Sequence, residues 1–233
     1  ADGTYKPSKR TDPDAPRSAT FQLQDGVSLY GGFAGTEASV HERNIDSNPT
    51  ILSGDFNGDD QINFDNYNEN ARHVLTAIGV GEIEQTVLDG FLVTSGCATG
   101  ADFREGRGGG MFIEEAFPIL RNCVFTRNLA AEQANVVHAP GGGAAVYVLI
   151  EEREPPQPVL SFYRCRFTDN TTRGSGAAVD FYGGSASFTD CSFERNAADA
   201  AGGAVYALWG FSYSFRGCTF SNNTTQGTGG AIS

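Results

Sequence analysis

Residues 191–232, CSFERNAADAAGGAVYALWGFSYSFRGCTFSNNTTQGTGGAI, contain the same pair of motifs twice. The first motif, Cys-x-Phe-x-x-Asn, occupies 191–196 and 218–223. The second, Gly-Gly-Ala followed by Val or Ile, occupies 202–205 and 229–232. Both motifs recur after 27 residues, which indicates two successive copies of one structural unit.

The same motifs continue toward the N-terminus. Cys-x-Phe-x-x-Asn also occurs at 123–128 and 165–170, so the four cysteines lie 42, 26 and 27 residues apart. Residues 90–96 are a degenerate copy, with Phe91 at the Cys position and Val93 at the Phe position. The glycine motif has earlier versions, which are GGMF at 109–112, GGAAV at 142–146 and SGAAV at 175–179.

A unit of 26 or 27 residues favours a parallel β-helix. Helical repeats need about 33 residues or more, and the leucine-rich register is absent. Within one unit, residues 205–207, 211–215 and 218–220 are short, aromatic or β-branched segments separated by Gly, Ser or Asn, which is typical of strands and turns. We predict an all-β fold, a right-handed single-stranded parallel β-helix with three short strands per coil and no closed barrel. Each coil would bury its apolar face against its neighbours.

Equivalent residues of stacked coils should lie about 4.8 Å apart and form ladders along the axis. One inward ladder should consist of Phe125, Phe167, Phe193 and Phe220, with Val93 below them. A second should consist of Val146, Val179, Val205 and Ile232, with Phe112 below them. A turn with left-handed backbone angles and amide–amide hydrogen bonds is expected at Asn128, Asn170, Asn196 and Asn223.

The motif cysteines form a further ladder. Parallel neighbours keep their Cβ atoms near 4.8 Å, beyond the roughly 3.5–4.5 Å of a disulfide. Four sulfurs spread over about 14 Å cannot surround one zinc ion. We predict that Cys123, Cys165, Cys191 and Cys218 are small buried hydrophobic residues and that Cys97 is unpaired as well.

The array is predicted to cover residues 1–233 as one domain. Long polar connections interrupt the strand-like segments of residues 1–107, so we expect irregular coils there and regular coils over residues 108–233. Two further loops are expected at 129–140 and 151–158 in the stretched 42-residue interval. The chain ends inside a coil, whereas a solenoid needs polar caps, so we expect a fragment of a larger protein.

The charge balance bears on the partner. The chain has 16 Lys and Arg against 28 Asp and Glu, a net charge of −12. This argues against a nucleic-acid partner, because phosphate binding needs a basic footprint. No apolar run approaches 18 residues, so the sequence predicts no transmembrane segment.

The tetrapeptides FTRN, FTDN, FERN and FSNN, together with GGAV and GGAI, resemble the repeats of the chlamydial polymorphic outer-membrane proteins. The stretches GTYKPS, FQLQDGVSLYGGFAGTE, TILSGD and TVLDGFLVTSG look like bacterial surface proteins described as right-handed parallel β-helix repeat proteins. The resemblance implies an exported protein, located outside the bacterial cell or on its surface, as a passenger or adhesin-like segment.

This setting favours a non-enzymatic adhesive or structural role. Loops and outward ladders would bind a host or neighbouring-cell surface protein or glycan, or other subunits of a surface assembly. The alternative is a fragment of a polysaccharide-active enzyme, pectate-lyase-like or a glycoside hydrolase, because fold does not fix function. No catalytic residues can be assigned from the sequence.

One outward ladder is a candidate ligand-binding site. If Val146, Val179 and Val205 point inward, the residues that follow them point outward on successive coils. An aromatic–acid–aromatic stripe of this kind could stack on sugar rings and bond to their hydroxyls, and ordinary outward packing under a loop is the other interpretation. The stripe consists of Tyr147, Asp180 and Tyr206.

Residues 55–66, DFNGDDQINFDN, resemble a dockerin or EF-hand calcium loop. Oxygen-bearing side chains at alternate positions make Asp55, Asn57, Asp59, Gln61, Asn63 and Asp65 the candidate ligands. Asp60 stands where the turn glycine is expected, and Asn66 stands where a bidentate acid is expected. A calcium site and a solvated acidic turn both remain possible, and calcium is the only cofactor predicted.

Overall fold

The structure is a computed structural model, which describes residues 1–81, 85–100, 102–131, 142–151, 158–210 and 212–233. Every pairing between its strands is parallel, and the chain passes through four sheets in turn. The predicted all-β parallel β-helix is therefore confirmed. Besides the three strands predicted per coil, each regular coil has a fourth strand of two residues.

The four sheets follow one another around each coil. The first sheet, after the glycine motif, contains β2 (Phe21–Gln22), β5 (Leu75–Ile78), β9 (Met111–Glu114), β13 (Val146–Leu149), β17 (Val179–Tyr182) and β21 (Val205–Leu208). The second contains β3 (Ser28–Tyr30), β6 (Val87–Asp89), β10 (Ile119–Arg121), β14 (Leu160–Tyr163), β18 (Ser185–Thr189) and β22 (Ser212–Arg216). The third contains β1 (Gly3–Tyr5), β4 (Thr50–Ser53), β7 (Phe91–Thr94), β11 (Val124–Thr126), β15 (Arg166–Thr168), β19 (Ser192–Glu194) and β23 (Thr219–Ser221). The fourth contains the two-residue strands β8 (Cys97–Ala98), β12 (Leu129–Ala130), β16 (Thr171–Thr172), β20 (Ala197–Ala198) and β24 (Thr224–Thr225).

Helical structure is confined, within the described residues, to three 3₁₀ turns at Pro16–Ser18, Val40–Glu42 and Tyr67–Glu69. None of the helices among the described residues is long and apolar enough to span a bilayer. Of the two loops expected in the 42-residue interval, residues 132–141 and 152–157 lie outside the described residues. The first of these loops was placed too early, because 129–130 form β12.

The phenylalanine ladder of the third sheet is confirmed. Phe125, Phe167, Phe193 and Phe220 lie in register above Val93, and their rings stack with centroids 5.4, 4.9 and 4.6 Å apart. The second sheet adds a ladder that the motifs did not reveal, made of Phe162, Phe188 and Phe215. Its rings meet the first ladder edge-on at 5.6–5.9 Å, a favourable geometry for aromatic pairs.

The inward ladder of the first sheet contains Met111, and the prediction of Phe112 was wrong by one residue. Met111 pairs with Val146, whereas Phe112 pairs with Tyr147 on the outer face. The cause is that the turn glycine of this coil is Gly108, with φ +70°, while Gly110 donates its N–H to the carbonyl of Ala144 and Met111 to that of Ala145. The two glycines of GGMF therefore stand at the alanine positions of GGAAV.

The predicted hydrogen bonds of the asparagine ladder are confirmed, but the prediction that these asparagines have left-handed backbone angles was wrong. Asn128, Asn170 and Asn196 are fully buried, and each Nδ2 donates to Oδ1 of the next asparagine at 3.1, 2.9 and 2.9 Å. Left-handed angles, with φ between +50° and +56°, belong to the preceding residues, which are Arg127, Asp169, Arg195 and Asn222. The left-handed residue turns the chain so that the following amide points inward.

Glycines with positive φ precede the strands of the first sheet. Gly143, Gly176, Gly202 and Gly229 have φ between +59° and +68°, and a Cβ at any of them would lie 2.2–2.3 Å from the carbonyl oxygen three residues later. Only glycine fits this turn without displacing backbone. The five cysteines are unpaired, as predicted, and four of them are buried.

Candidate functional site

The outer face of the first sheet carries the predicted ligand-binding stripe. Tyr147, Asp180 and Tyr206 lie side by side on β13, β17 and β21, and Phe112 continues the stripe on β9. Its middle is not open to solvent, since Tyr147 is 2% and Asp180 8% exposed, while Tyr206 is half-buried. The structure therefore brings the three predicted residues together, and the middle of the stripe is packed under a loop, as the second interpretation expected.

The cover is the strap, which we define as residues 102–108. Its Phe103 ring meets Tyr147 edge-on, with centroids 5.9 Å apart. The Arg107 guanidinium lies 4.2 Å from the centroid of Phe103 and 5.7 Å from that of Tyr147, within cation–π distance. Because Arg107 is itself buried, the strap places a positive charge between aromatic faces.

Two ion pairs fasten the strap to the coils. Arg72 lies 2.6 Å from Glu105, and Arg104 forms a bidentate pair with Glu114 at the end of β9. A cavity of about 260 Å³ lies on the N-terminal side of the strap, against Phe112 and His73. Burial lowers the pKa of His73 to about 4, so this imidazole is neutral at physiological pH. The strap thus divides a groove that runs along the outer face of the first sheet.

A pocket of about 180 Å³ lies on the C-terminal side of the strap. Tyr147 and Tyr206 flank Asp180 within it, and Phe103 and Tyr182 add aromatic surface. Small-molecule sites usually measure about 300 Å³ or more. This pocket therefore suits one ring of a larger ligand better than a whole one.

Asp180 is the polar centre of the pocket. Burial raises its pKa to about 8, and the charge of Arg107 acts in the opposite direction. The carboxyl is therefore mostly protonated at neutral pH, and it can donate as well as accept a hydrogen bond. Gly142 lies so close to Asp180 that a Cβ there would meet its Oδ2, so a larger residue would displace this carboxyl.

The number of carboxyl groups in the pocket bears on which reactions it could support. Acid–base hydrolysis of a glycoside uses two carboxyl groups, about 5–9.5 Å apart. Among the described residues that line the pocket, Asp180 is the only carboxyl group. The accessible rings of Tyr182 and Tyr206 can stack on the face of a ligand ring at the mouth of the pocket.

The predicted calcium loop contains a group of converging carboxylates. The oxygens of Asp55, Asp59, Asp60 and Glu69 all lie within 4.8 Å of one another. Asp65 is not a member of this group, and its carboxylate instead accepts a hydrogen bond from Asn63 at 2.6 Å.

The other predicted ligands lie in the same loop. Asn57 donates its N–H to Glu69 at 3.4 Å, and the amide nitrogen of Gln61 donates to the carbonyl of Asp59 at 2.9 Å. Sequence reasoning missed Glu69, which the 3₁₀ turn Tyr67–Glu69 returns to the start of the loop. Burial, followed by the nearby charges of Asp55 and Glu69, raises the pKa of Asp60.

Part of the chain matches a known family of repeats. Residues 190–208 and 217–233 match the Chlamydia polymorphic membrane protein repeat. Each stretch begins at the turn before the third sheet and continues through the fourth sheet to the glycine motif, so the two copies occupy equivalent parts of successive coils. The resemblance of the tetrapeptide motifs to this repeat is confirmed. No curated protein and no solved structure matches the chain.

Proposed function

We propose that this chain is a non-enzymatic segment of an exported bacterial surface protein, in which the β-helix displays a groove for a glycan. Its two copies of a membrane-protein repeat support the surface setting. Its partner would be a glycan or glycosylated protein on a host or neighbouring cell, and the role would be adhesive or structural.

The observation that carries this proposal is the placement of Asp180 between Tyr147 and Tyr206. Tyr206 is half-buried and offers part of its flat apolar face, whereas Tyr147 lies buried under the strap. The carboxyl between them is mostly uncharged at neutral pH because burial raises its pKa to about 8. A sugar ring has the complementary features, which are an apolar C–H face and hydroxyl groups at its rim.

The alternative function, a polysaccharide-active enzyme, has less support. The single carboxyl group among the described lining residues does not provide the acid and base that hydrolysis requires. Binding and turnover can nevertheless be separated by experiment.

The test is glycan binding by the full chain, screened against neutral and acidic polysaccharides. We expect Tyr206→Ala and Asp180→Asn to weaken binding at least tenfold. Tyr163→Ala is the matched control, because Tyr163 is a half-buried outward tyrosine at the end of β14 in the second sheet. If the first two variants bind as tightly as the native chain, or if the control loses as much affinity as they do, the groove is not the binding site. Product formation that vanishes in Asp180→Asn would instead establish the enzyme.

A further inference from the structure

Four carboxylates converge at the base of the 55–69 loop. We call Asp55, Asp59, Asp60 and Glu69 the acidic cluster; their oxygens lie within 4.8 Å of one another. In the described part of the chain, no lysine or arginine forms an ion pair with any of them. Lys6 lies beside the loop, where its ammonium donates to the carbonyl of Phe56 at 3.2 Å. Like charges held this close oppose one another's ionisation, so a bound cation would stabilise the arrangement.

A second observation is independent of the cluster's charge. Asp60 Oδ1 and Asn70 Oδ1 are buried and receive no hydrogen bond. Asn70 is fully buried, and its Nδ2 donates to Asp60 Oδ2 and to the carbonyl of Ser95, both at 2.9 Å. The amide is therefore fixed against the cluster, with both of its hydrogens in use. Buried oxygens without a donor are rare in proteins, and a bound cation satisfies such atoms.

We propose that the acidic cluster is a calcium site in which Asp55, Asp59, Asp60 and Glu69 supply the ligands, with Oδ1 of Asn70 as a further oxygen. All of these ligands are carboxylate or amide oxygens, which calcium prefers and which zinc and copper do not. Calcium holds its ligands at about 2.3–2.6 Å, so ligands on opposite sides of one ion are about 4.6–5.2 Å apart, in agreement with the observed span. Magnesium usually takes one or two carboxylates, at about 2.0–2.1 Å, and is a poorer match.

The site would close a loop that projects from the edge of the coils. At its base, Ala71 donates its N–H to the carbonyl of Gly54 at 2.9 Å, and Tyr67 donates its hydroxyl to the carbonyl of Arg127 at 3.1 Å. At its tip, Ile62 is 85% exposed. Calcium would fix this tip against the coils, where it borders a groove of about 430 Å³. This inference is independent of the proposed glycan site, which lies on the first sheet.

Calorimetric titration of the metal-free chain with calcium chloride tests the proposal. We expect one calcium per chain, a dissociation constant of about 10⁻³ M or tighter, and a melting temperature that rises with calcium. Asp60→Asn and Glu69→Gln should each weaken binding at least tenfold. Asp65→Asn, a change of the same kind in the same loop but outside the cluster, should weaken it less than twofold.

The melting temperatures of the variants in calcium-free buffer show whether Asp60 and Glu69 act as calcium ligands or are needed for folding. Each of the two cluster variants removes one of four like charges, so we expect it to melt no lower than the calcium-free native chain. No heat and no change in melting temperature on adding calcium would overturn the proposal. It would also fall if Asp65→Asn weakened binding as much as Glu69→Gln did, or if magnesium bound as tightly as calcium.

Discussion

Replacing Asn196 by alanine tests whether the buried amide ladder, and not only the aromatic core, holds the coils together. The Asn196 side chain makes four hydrogen bonds. Its Nδ2 donates to the carbonyl of Phe167 and to Oδ1 of Asn223, both at 2.9 Å. Its Oδ1 accepts from the backbone N–H of Asn170 at 3.3 Å and from Asn170 Nδ2 at 2.9 Å.

The expected cost follows from these contacts. Each hydrogen bond contributes about 0.5–1.5 kcal/mol net, and a buried group left unpaired costs more than the average bond gains. We therefore expect Asn196→Ala to lower the free energy of unfolding by about 3–4 kcal/mol. At about 2–4 °C per kcal/mol for a chain of this size, the melting temperature should fall by about 10 °C.

Asn223→Ala is the matched comparison, because Asn223 occupies the same ladder position but is half-exposed. Water can replace part of its bonds, so we expect a cost of about 1 kcal/mol. Hydrogen exchange gives a local measurement. In Asn196→Ala, the amide of Asn170 loses its acceptor, whereas the amide of Ala197 keeps the carbonyl of Asn170. Equal acceleration of the two amides, or equal costs for the two variants, would refute the reasoning.

Three further predictions concern the core, the glycine turn and the groove. Phe193→Ala should lower the free energy of unfolding by about 3–5 kcal/mol, because Phe193 is fully buried between two stacked rings. Phe56→Ala, in a surface loop, should lower it by under about 1 kcal/mol. Equal shifts in the denaturation midpoint of the two variants would contradict this. Gly202→Ala should lower the free energy of unfolding by about 2 kcal/mol more than Gly79→Ala. Both glycines have φ near +60°, but only at Gly202 would the new Cβ clash with a carbonyl oxygen. Thermal melts of the two variants test this, and equal melting temperatures would contradict it. Because the pKa of Asp180 is raised to about 8 in the folded chain, the native state keeps a proton that the unfolded chain releases above its ordinary value near 3.8. Stability should therefore fall as pH rises from about 4 to 8. Asp180→Asn should remove this part of the slope, and parallel stability-against-pH curves for the two proteins would disprove it.

The parts of the fold that could be predicted are those that repeat. The register of Phe125, Phe167, Phe193 and Phe220 follows from the spacing of one motif, because stacked coils place equivalent residues next to one another. Prediction failed by one residue where a copy was irregular. Phe112 was assigned to the interior because GGMF resembles the glycine motif, although its glycines stand at alanine positions.

The candidate sites depend on contacts that do not repeat, and sequence patterns express these less well. Alternation placed Tyr147, Asp180 and Tyr206 on one face, and packing under a loop was one of the two interpretations, but the sequence did not show that residues 102–108 would form that loop. In the acidic loop, a linear spacing rule suggested Asp65. The chain instead brings Glu69 back to the start of the loop through a 3₁₀ turn. The spacing of ligands within residues 55–66 could not have predicted this, because Glu69 lies outside that range.

The in-register ladders also determine how such a chain can change its length during evolution. Residues 191–217 form one complete unit, and their removal would place the coil of Cys165 directly against that of Cys218. Phenylalanine would again meet phenylalanine, and asparagine would meet asparagine, because both flanking coils already present the same residues to their neighbours. Recombination between misaligned repeats would therefore yield proteins with fewer or more coils. The newly adjacent coils would already be complementary, so no further substitutions would be needed at their contact.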